Sequence, residues 1–194
     1  MRCVEVNYLD ELRSILQENV QLYKQDQLDD ALHRAAQLNN ADACALLIQS
    51  GSDVNSFESR ERYAARRGQA ALCTLTREQA WHENWLLRHS SRGGTALHFA
   101  VENAHHRVVQ GLVEHGAQIN MPDSNGVTSL MLASMRRGSD AIVSLLLESA
   151  DVDVNATERR LGRTALHYAA EAGFVIGLKM LIEAGTCYVI KHIF

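Results

Sequence analysis

At 194 residues, with 46% hydrophobic and 22% charged side chains and a net charge of −4, the chain has the composition of a packed protein and not of a disordered one. The mildly acidic balance offers nothing to a nucleic acid or an anionic membrane, and no apolar run reaches the roughly 18 residues that a membrane-spanning helix requires. Met1-Arg2-Cys3-Val4-Glu5 puts an acid where a signal peptide has its apolar core, and Cys3, Cys44, Cys73 and Cys187 form no Cys-x-x-Cys, a pattern that reads as reduced thiols inside a cell.

In chain order, residues 7–20 predict an amphipathic helix. Asn7 can cap it, Asp10 and Glu11 suit its positive end, and Leu9, Leu12, Leu16 and Val20 share a face with Ile15 beside them. It ends as the second helix of a two-helix unit would, with Asn19 at a left-handed position, so residues 1–27 read as a half unit. The first complete unit, 28–55, opens on Leu32-His33-Arg34-Ala35-Ala36, fills its second helix with Leu47 and Ile48, and closes on Gly51-Ser52-Asp53-Val54-Asn55. Residues 56–91 are irregular. Ala64-Ala65-Arg66-Arg67-Gly68 matches a first helix and its terminating glycine, but 69–90 hold neither Gly nor Pro while carrying Leu72, Leu75, Trp81, Trp85 and Leu86. This stretch reads as a degenerate unit with a displaced second helix, its tryptophans in the core, and as the part that opens most readily. Better-formed units follow at 92–121, 122–156 and 157–187, the turn Met121-Pro122-Asp123-Ser124-Asn125-Gly126 lying between the first two. Residues 188–194 make an apolar tail where a terminal cap is expected to be polar.

Three helix openings recur: Gly93-Gly94-Thr95-Ala96-Leu97-His98-Phe99-Ala100, Gly126-Val127-Thr128-Ser129-Leu130-Met131-Leu132-Ala133 and Gly162-Arg163-Thr164-Ala165-Leu166-His167-Tyr168-Ala169. Thr128 follows Thr95 by 33 residues and Thr164 follows Thr128 by 36. Closing residues keep the same register, with Gly116 and Asn120 after Thr95 placed as Gly51 and Asn55 are after Asp30. A helix-opening segment returning at this interval marks a stacked repeat protein, and the Thr-x-Leu-His-x-Ala pattern resembles the ankyrin repeat. The resemblance implies an all-α solenoid of helix–turn–helix units joined by hairpin-like finger loops, here four full units in a curved array behind the initial half unit. It runs through most of 28–185 and is weakest in 56–91. The residue after each Thr is Ala96, Ser129 or Ala165 where the pattern usually has Pro, so these units should be softer than the family's norm.

The residues that could carry chemistry have structural duties in this register. His33, His98 and His167 occupy the repeat's own His position, where the ring can bond the capping Thr. His82-Glu83-Asn84-Trp85-Leu86 lacks the second His of a metalloprotease helix, and no phosphate-binding glycine loop occurs. Cys44 sits in an apolar helical run and reads as core. No catalytic residue, cofactor or metal is therefore expected. Arg66-Arg67 and Arg136-Arg137 fall near helix ends, where they complement helix dipoles, and Arg159-Arg160 lies in a finger; the alternative is a basic stripe for an acidic peptide.

The resemblance implies a non-catalytic protein–protein interaction module, an adaptor or scaffold, cytoplasmic and monomeric, binding a protein partner through stacked first helices and fingers. The residue after each His position should face the concave side, which places Phe99, Leu132 and Tyr168 with Met135 at the centre of the contact and Glu102, Glu171 and Arg163 at its rim. The competing expectation is that a bent stack buries the large apolar ones. Alternatives to the adaptor are a substrate-receptor subunit of a ubiquitin ligase and the repeat portion of a larger enzyme or channel.

Overall fold

A computed structural model describes residues 25–58 and 93–185 of the chain, which divides into two compact units, Met1–Gln118 and Ile119–Phe194. Among the described residues there are eight α-helices, arranged as four helix–turn–helix layers, and one isolated β-bridge. Most of the predicted half unit 1–27, the greater part of the degenerate unit 56–91 and the tail 188–194 lie outside the described residues.

In the first unit, α1 (Gln25–Gln37) and α2 (Ala41–Gln49) form one layer, and α3 (Ala96–Glu102) and α4 (His106–Glu114) form the next. Leu28, Leu32, Ala35 and Ala36 recur on one side of α1 at three- and four-residue steps and are buried, as are Ala43, Cys44 and Leu47 on α2. Every residue from Ala96 to Val101 of α3 is buried. Helix α1 packs on α3, and α2 on α4. Polar bonds pin this contact at both ends of the layer. The Asn55 side chain donates from Nδ2 to Gly116 O at 3.2 Å and accepts from Gln118 N at 2.7 Å, while His105 Nε2 lies 2.9 Å from Gln37 O.

The second unit repeats the scheme with α5 (Ser129–Ser134), α6 (Asp140–Leu147), α7 (Ala165–Ala172) and α8 (Val175–Glu183); α5 packs on α7 and α6 on α8. Asn120 plays the part of Asn55: its Nδ2 donates to Asp151 O and its Oδ1 accepts from Asp153 N at 2.8 Å. A primary amide suits this position because it offers one donor and one acceptor to a strand-like loop whose own backbone groups alternate.

Helices α3 and α7 start as the sequence predicts, whereas α1 is already helical from Gln25, ahead of the expected opening at 28, and His33 Nε2 lies 3.0 Å from Ser56 O instead of serving a helix start. Thr95 N–H donates to His98 Nδ1 at 3.2 Å, with the Thr95 hydroxyl 2.9 Å from the same nitrogen; Thr164 and His167 repeat this at 3.2 and 2.8 Å. A backbone N–H can only donate, so Nδ1 is the acceptor and each neutral ring carries its proton on Nε2. At α5 Met131 replaces the His, and Thr128 Oγ1 accepts from Met131 N at 3.4 Å instead.

Each finger is closed at its base by an acidic residue three places after a closing asparagine. Asp123 follows Asn120, its backbone N–H donates to Val127 O at 2.8 Å, and its Oδ1 accepts from Asn125 N and Val127 N. Glu158 follows Asn155, its N–H donates to Arg163 O at 3.0 Å, and its carboxylate accepts from Arg160 N and Leu161 N. The longer acid spans the loop that is longer by a residue. Glu58 follows Asn55 and pairs with Gly94 in both directions, at 2.9 and 2.8 Å. All three acids are buried, and Val127, Arg163 and Gly94 each stand immediately before the capping Thr. The corresponding intervals are 124–126, 159–162 and 59–93. Thus the α1–α2 and α3–α4 layers meet each other directly, across the Asn55 bridge, although residues 59–92 lie between them in the sequence.

Two stability predictions follow from these contacts. Leu130 is 2% exposed, whereas its counterpart Leu166 is only half-buried. Leu130→Ala should therefore cost about 2–5 kcal/mol in guanidinium unfolding, and Leu166→Ala less than half as much. The turns between paired helices hold Asn39, Ala104, Gly138 and Gly173 at φ of 60°, 57°, 83° and 63°. Alanine in that left-handed region is strained by about 1–2 kcal/mol, more than the conformational entropy that glycine adds to the unfolded chain. Ala104→Gly should raise the unfolding midpoint, where the same change on a helix would lower it.

Candidate protein-interaction surface

The seven residues expected to meet a partner separate by environment. Phe99 is 2% and Leu132 7% exposed. The Phe99 ring stands edge-on to His33 of the neighbouring layer, centroids 5.7 Å apart and planes at 74°, so it belongs to the interlayer core of the first unit. The physical reason is the direct contact of α1 with α3, which brings the His position of one layer against the following residue of the next. These two side chains present no surface, and the central contact drawn from the sequence is corrected in that respect. Glu102 in the first unit is partly buried.

The other four lie in the second unit. Met135 caps the C-terminal end of α5, and it and Tyr168 are partly exposed. Arg163 Nη1 donates to Glu171 Oε2 at 2.6 Å, their side chains 38% and 64% exposed. Arg163 is well placed for this because its backbone carbonyl is held by Glu158 N–H, which fixes where the finger rejoins the helix. The guanidinium then reaches along α7 to Glu171, one turn beyond Tyr168. An exposed pair of this kind adds well under about 1 kcal/mol to stability. Met135 and Glu171 share one register position on helices that pack side by side, and Tyr168 lies a turn before it.

The arginine pairs take different roles. Arg137 Nε donates to Ala172 O at 2.6 Å, so it satisfies a C-terminal carbonyl of α7, in keeping with the helix-dipole reading. Arg159 packs over the preceding finger, where a Cβ on Gly126 would lie 2.7 Å from Arg159 Cγ. What the sequence reading missed is the duty of the acids: Glu58, Asp123 and Glu158 are structural caps, and their recurrence three residues after Asn55, Asn120 and Asn155 was the available signal. Among the described residues no group of three His, Cys, Asp or Glu side chains could hold a metal ion, and no helix is long and apolar enough to cross a membrane.

Comparison with known proteins agrees with this architecture. Family models described as ankyrin repeats match residues 29–57, 61–158 and 124–192. The chain is 35% identical over 136 residues to a probable E3 ubiquitin-protein ligase, XBOS33, of Oryza sativa subsp. japonica, covering 68% of this chain and 25% of that protein. It is 29% identical over 162 residues to the putative palmitoyltransferase ZDHHC13 of Danio rerio, covering 80% and 24%. With Rabankyrin-5 of Homo sapiens it shares 33% identity over 134 residues, covering 69% of this chain and 10% of that one. The chain thus spans a quarter or less of the length of these relatives.

The buried thiol of Cys44 supplies a check on packing. Desolvation pushes its pKa from 9.0 up to about 12, with a backbone hydrogen bond pulling weakly the other way. Cys44 should resist iodoacetamide at pH 8 in the native protein and react on unfolding, as read by peptide mass mapping. Because the unfolded thiol ionises near 9 and the folded one does not, its contribution to stability is whole below that pH and is lost as pH rises toward 12. Native alkylation as fast as that of a free thiol would contradict the buried placement.

Proposed function

Since the chain belongs to the ankyrin repeat family, we propose that it is a non-catalytic interaction module that acts as an adaptor or scaffold for a protein partner. The contact we assign to that partner is the face of the second unit formed by Met135 and Tyr168 with the Arg163–Glu171 pair at its edge. The observation that carries this is a contrast in burial among the large apolar side chains. Phe99 and Leu132 are taken up by the core, whereas Tyr168 and Met135 retain exposed area that the layers do not use. A partly exposed aromatic and a methionine beside an ordered ion pair have the composition of an interface centre with a polar rim. Glu102 belongs to the first unit and is not assigned to this contact. A cytoplasmic location is part of the same reading.

A second reading has its own support. Three relatives, XBOS33, XBOS32 and XBAT33, are named E3 ubiquitin-protein ligases or probable ones. On that reading the ankyrin layers would select the substrate of such an enzyme, the catalytic or recruiting part lying elsewhere. The readings separate on whether proteins captured by the chain become ubiquitylated in a manner that depends on it.

The site is tested by quantitative affinity capture with the full chain. Tyr168→Ala combined with Glu171→Lys should reduce recovery of a captured partner at least about tenfold, as loss of a hot spot does. The melting temperatures must match, and Arg107→Ala on the exposed side of α4 should leave recovery unchanged. Full recovery with a stably folded double variant would remove this face from consideration.

A further inference from the structure

Two fingers of the second unit share one kind of closure and differ at the tip. In the first, Asp123 Oδ1 accepts from Asn125 N and Val127 N, and the tip is Ser124-Asn125-Gly126, which carries no charge. In the second, Glu158 is buried and its carboxylate accepts from Arg160 N at 2.6 Å and from Leu161 N, while its backbone carbonyl accepts from Gly162 N at 3.2 Å. Here the tip is Arg159-Arg160-Leu161-Gly162. Both arginines are exposed, and Leu161 is 58% exposed. A Cβ on Gly126 would lie 2.7 Å from Arg159 Cγ and 2.9 Å from Arg159 N, so the stem of Arg159 packs against the preceding tip. Closure uses the backbone of each tip and the acid before it. Ser124 and Asn125 stand at the matching places of the first finger, so arginine side chains are not what closing such a loop requires.

We propose that the tip formed by Arg159, Arg160 and Leu161 is a second contact surface of the chain, suited to an acidic segment of a protein partner. This rests on the reading of the chain as a protein-interaction module and adds the chemistry of what it meets. Guanidinium groups pair with carboxylates through a planar fork of N–H donors, and two of them on one closed turn fix a short spacing for the acids they engage. Leu161 places apolar area beside them, so the segment carries an apolar residue next to its acids. The one acid of this finger is Glu158, and its carboxylate is occupied by the loop's own N–H groups. Arg163, where the finger rejoins α7, is paired with Glu171 at 2.6 Å and stands outside this surface. The chain as a whole carries a charge of −4. A nucleic acid or an anionic bilayer extends well beyond one finger and meets that repulsion, which a short acidic segment escapes.

The experiment follows the fluorescence anisotropy of a fluorescein-labelled peptide of repeated Asp-Glu-Leu titrated with the full chain, beside an Asn-Gln-Leu peptide of the same length. The expected result is saturable binding of the acidic peptide, at least about tenfold tighter than the amide peptide, weakening as salt rises from about 0.05 to about 0.3 M. Arg159→Ser with Arg160→Asn, which copies the tip of the first finger, should remove at least about tenfold of that affinity, while Tyr168→Ala leaves it unchanged. The contrast between the two peptides is read on the unaltered chain and does not depend on how the variant folds. Equal affinity for both peptides, no saturable binding below about 1 mM, or full affinity in the arginine variant would overturn the inference. So would an oligouridylate that binds as tightly and with the same dependence on the two arginines. The α5–α7 face is judged separately: a captured partner lost with Tyr168→Ala and Glu171→Lys but kept by the arginine variant counts for that face and against the finger, and the reverse pattern counts for the finger alone.

Discussion

A pair of short helices cannot cover its own apolar sides, and this constraint shapes everything else in the chain. Helix α5 has six residues and all six are buried, which a free helix of that length could never achieve. Helices this short are marginal in water on propensity alone, so they persist because a neighbour completes their burial. The alanines at the interfaces follow from the same requirement. Ala36, Ala100, Ala133 and Ala169 lie at 0–1% exposure and let first helices come close enough for the leucines around them to pack.

Close stacking brings buried polar backbone with it, and the polar side chains of the repeat exist to satisfy that backbone. Threonine and histidine complete the helix starts, asparagine joins the loops of successive layers, and a carboxylate closes each finger by accepting from its N–H groups. These are groups that would otherwise cost about 1–3 kcal/mol each if buried without partners. His98 and His167, which invite thoughts of metal or catalysis in the bare sequence, are accounted for by this duty. Glu58 and Gly94 likewise close a finger base, each donating its N–H to the other's carbonyl.

Tyr168, Met135, Arg163 and Glu171 are left partly or fully exposed on the second unit, with the Arg163–Glu171 ion pair among them.

Much of this was legible in the residues. Thr95, Thr128 and Thr164 with their following leucines set the period, the helix starts and the layered all-α architecture, because capping and helical periodicity are local properties of the chain. The glycines Gly51, Gly116 and Gly185 marked helix ends for the same reason, and each has a positive φ. What the sequence could not determine was which large apolar side chains the stack consumes. Phe99 and Tyr168 occupy the same register position, yet one is buried against His33 and the other is partly exposed. Likewise, nothing local to 28–55 or 93–120 says that these two units touch. Both outcomes depend on which neighbour lies against a given face, a relation between segments distant in the chain, and only the tertiary structure contains it.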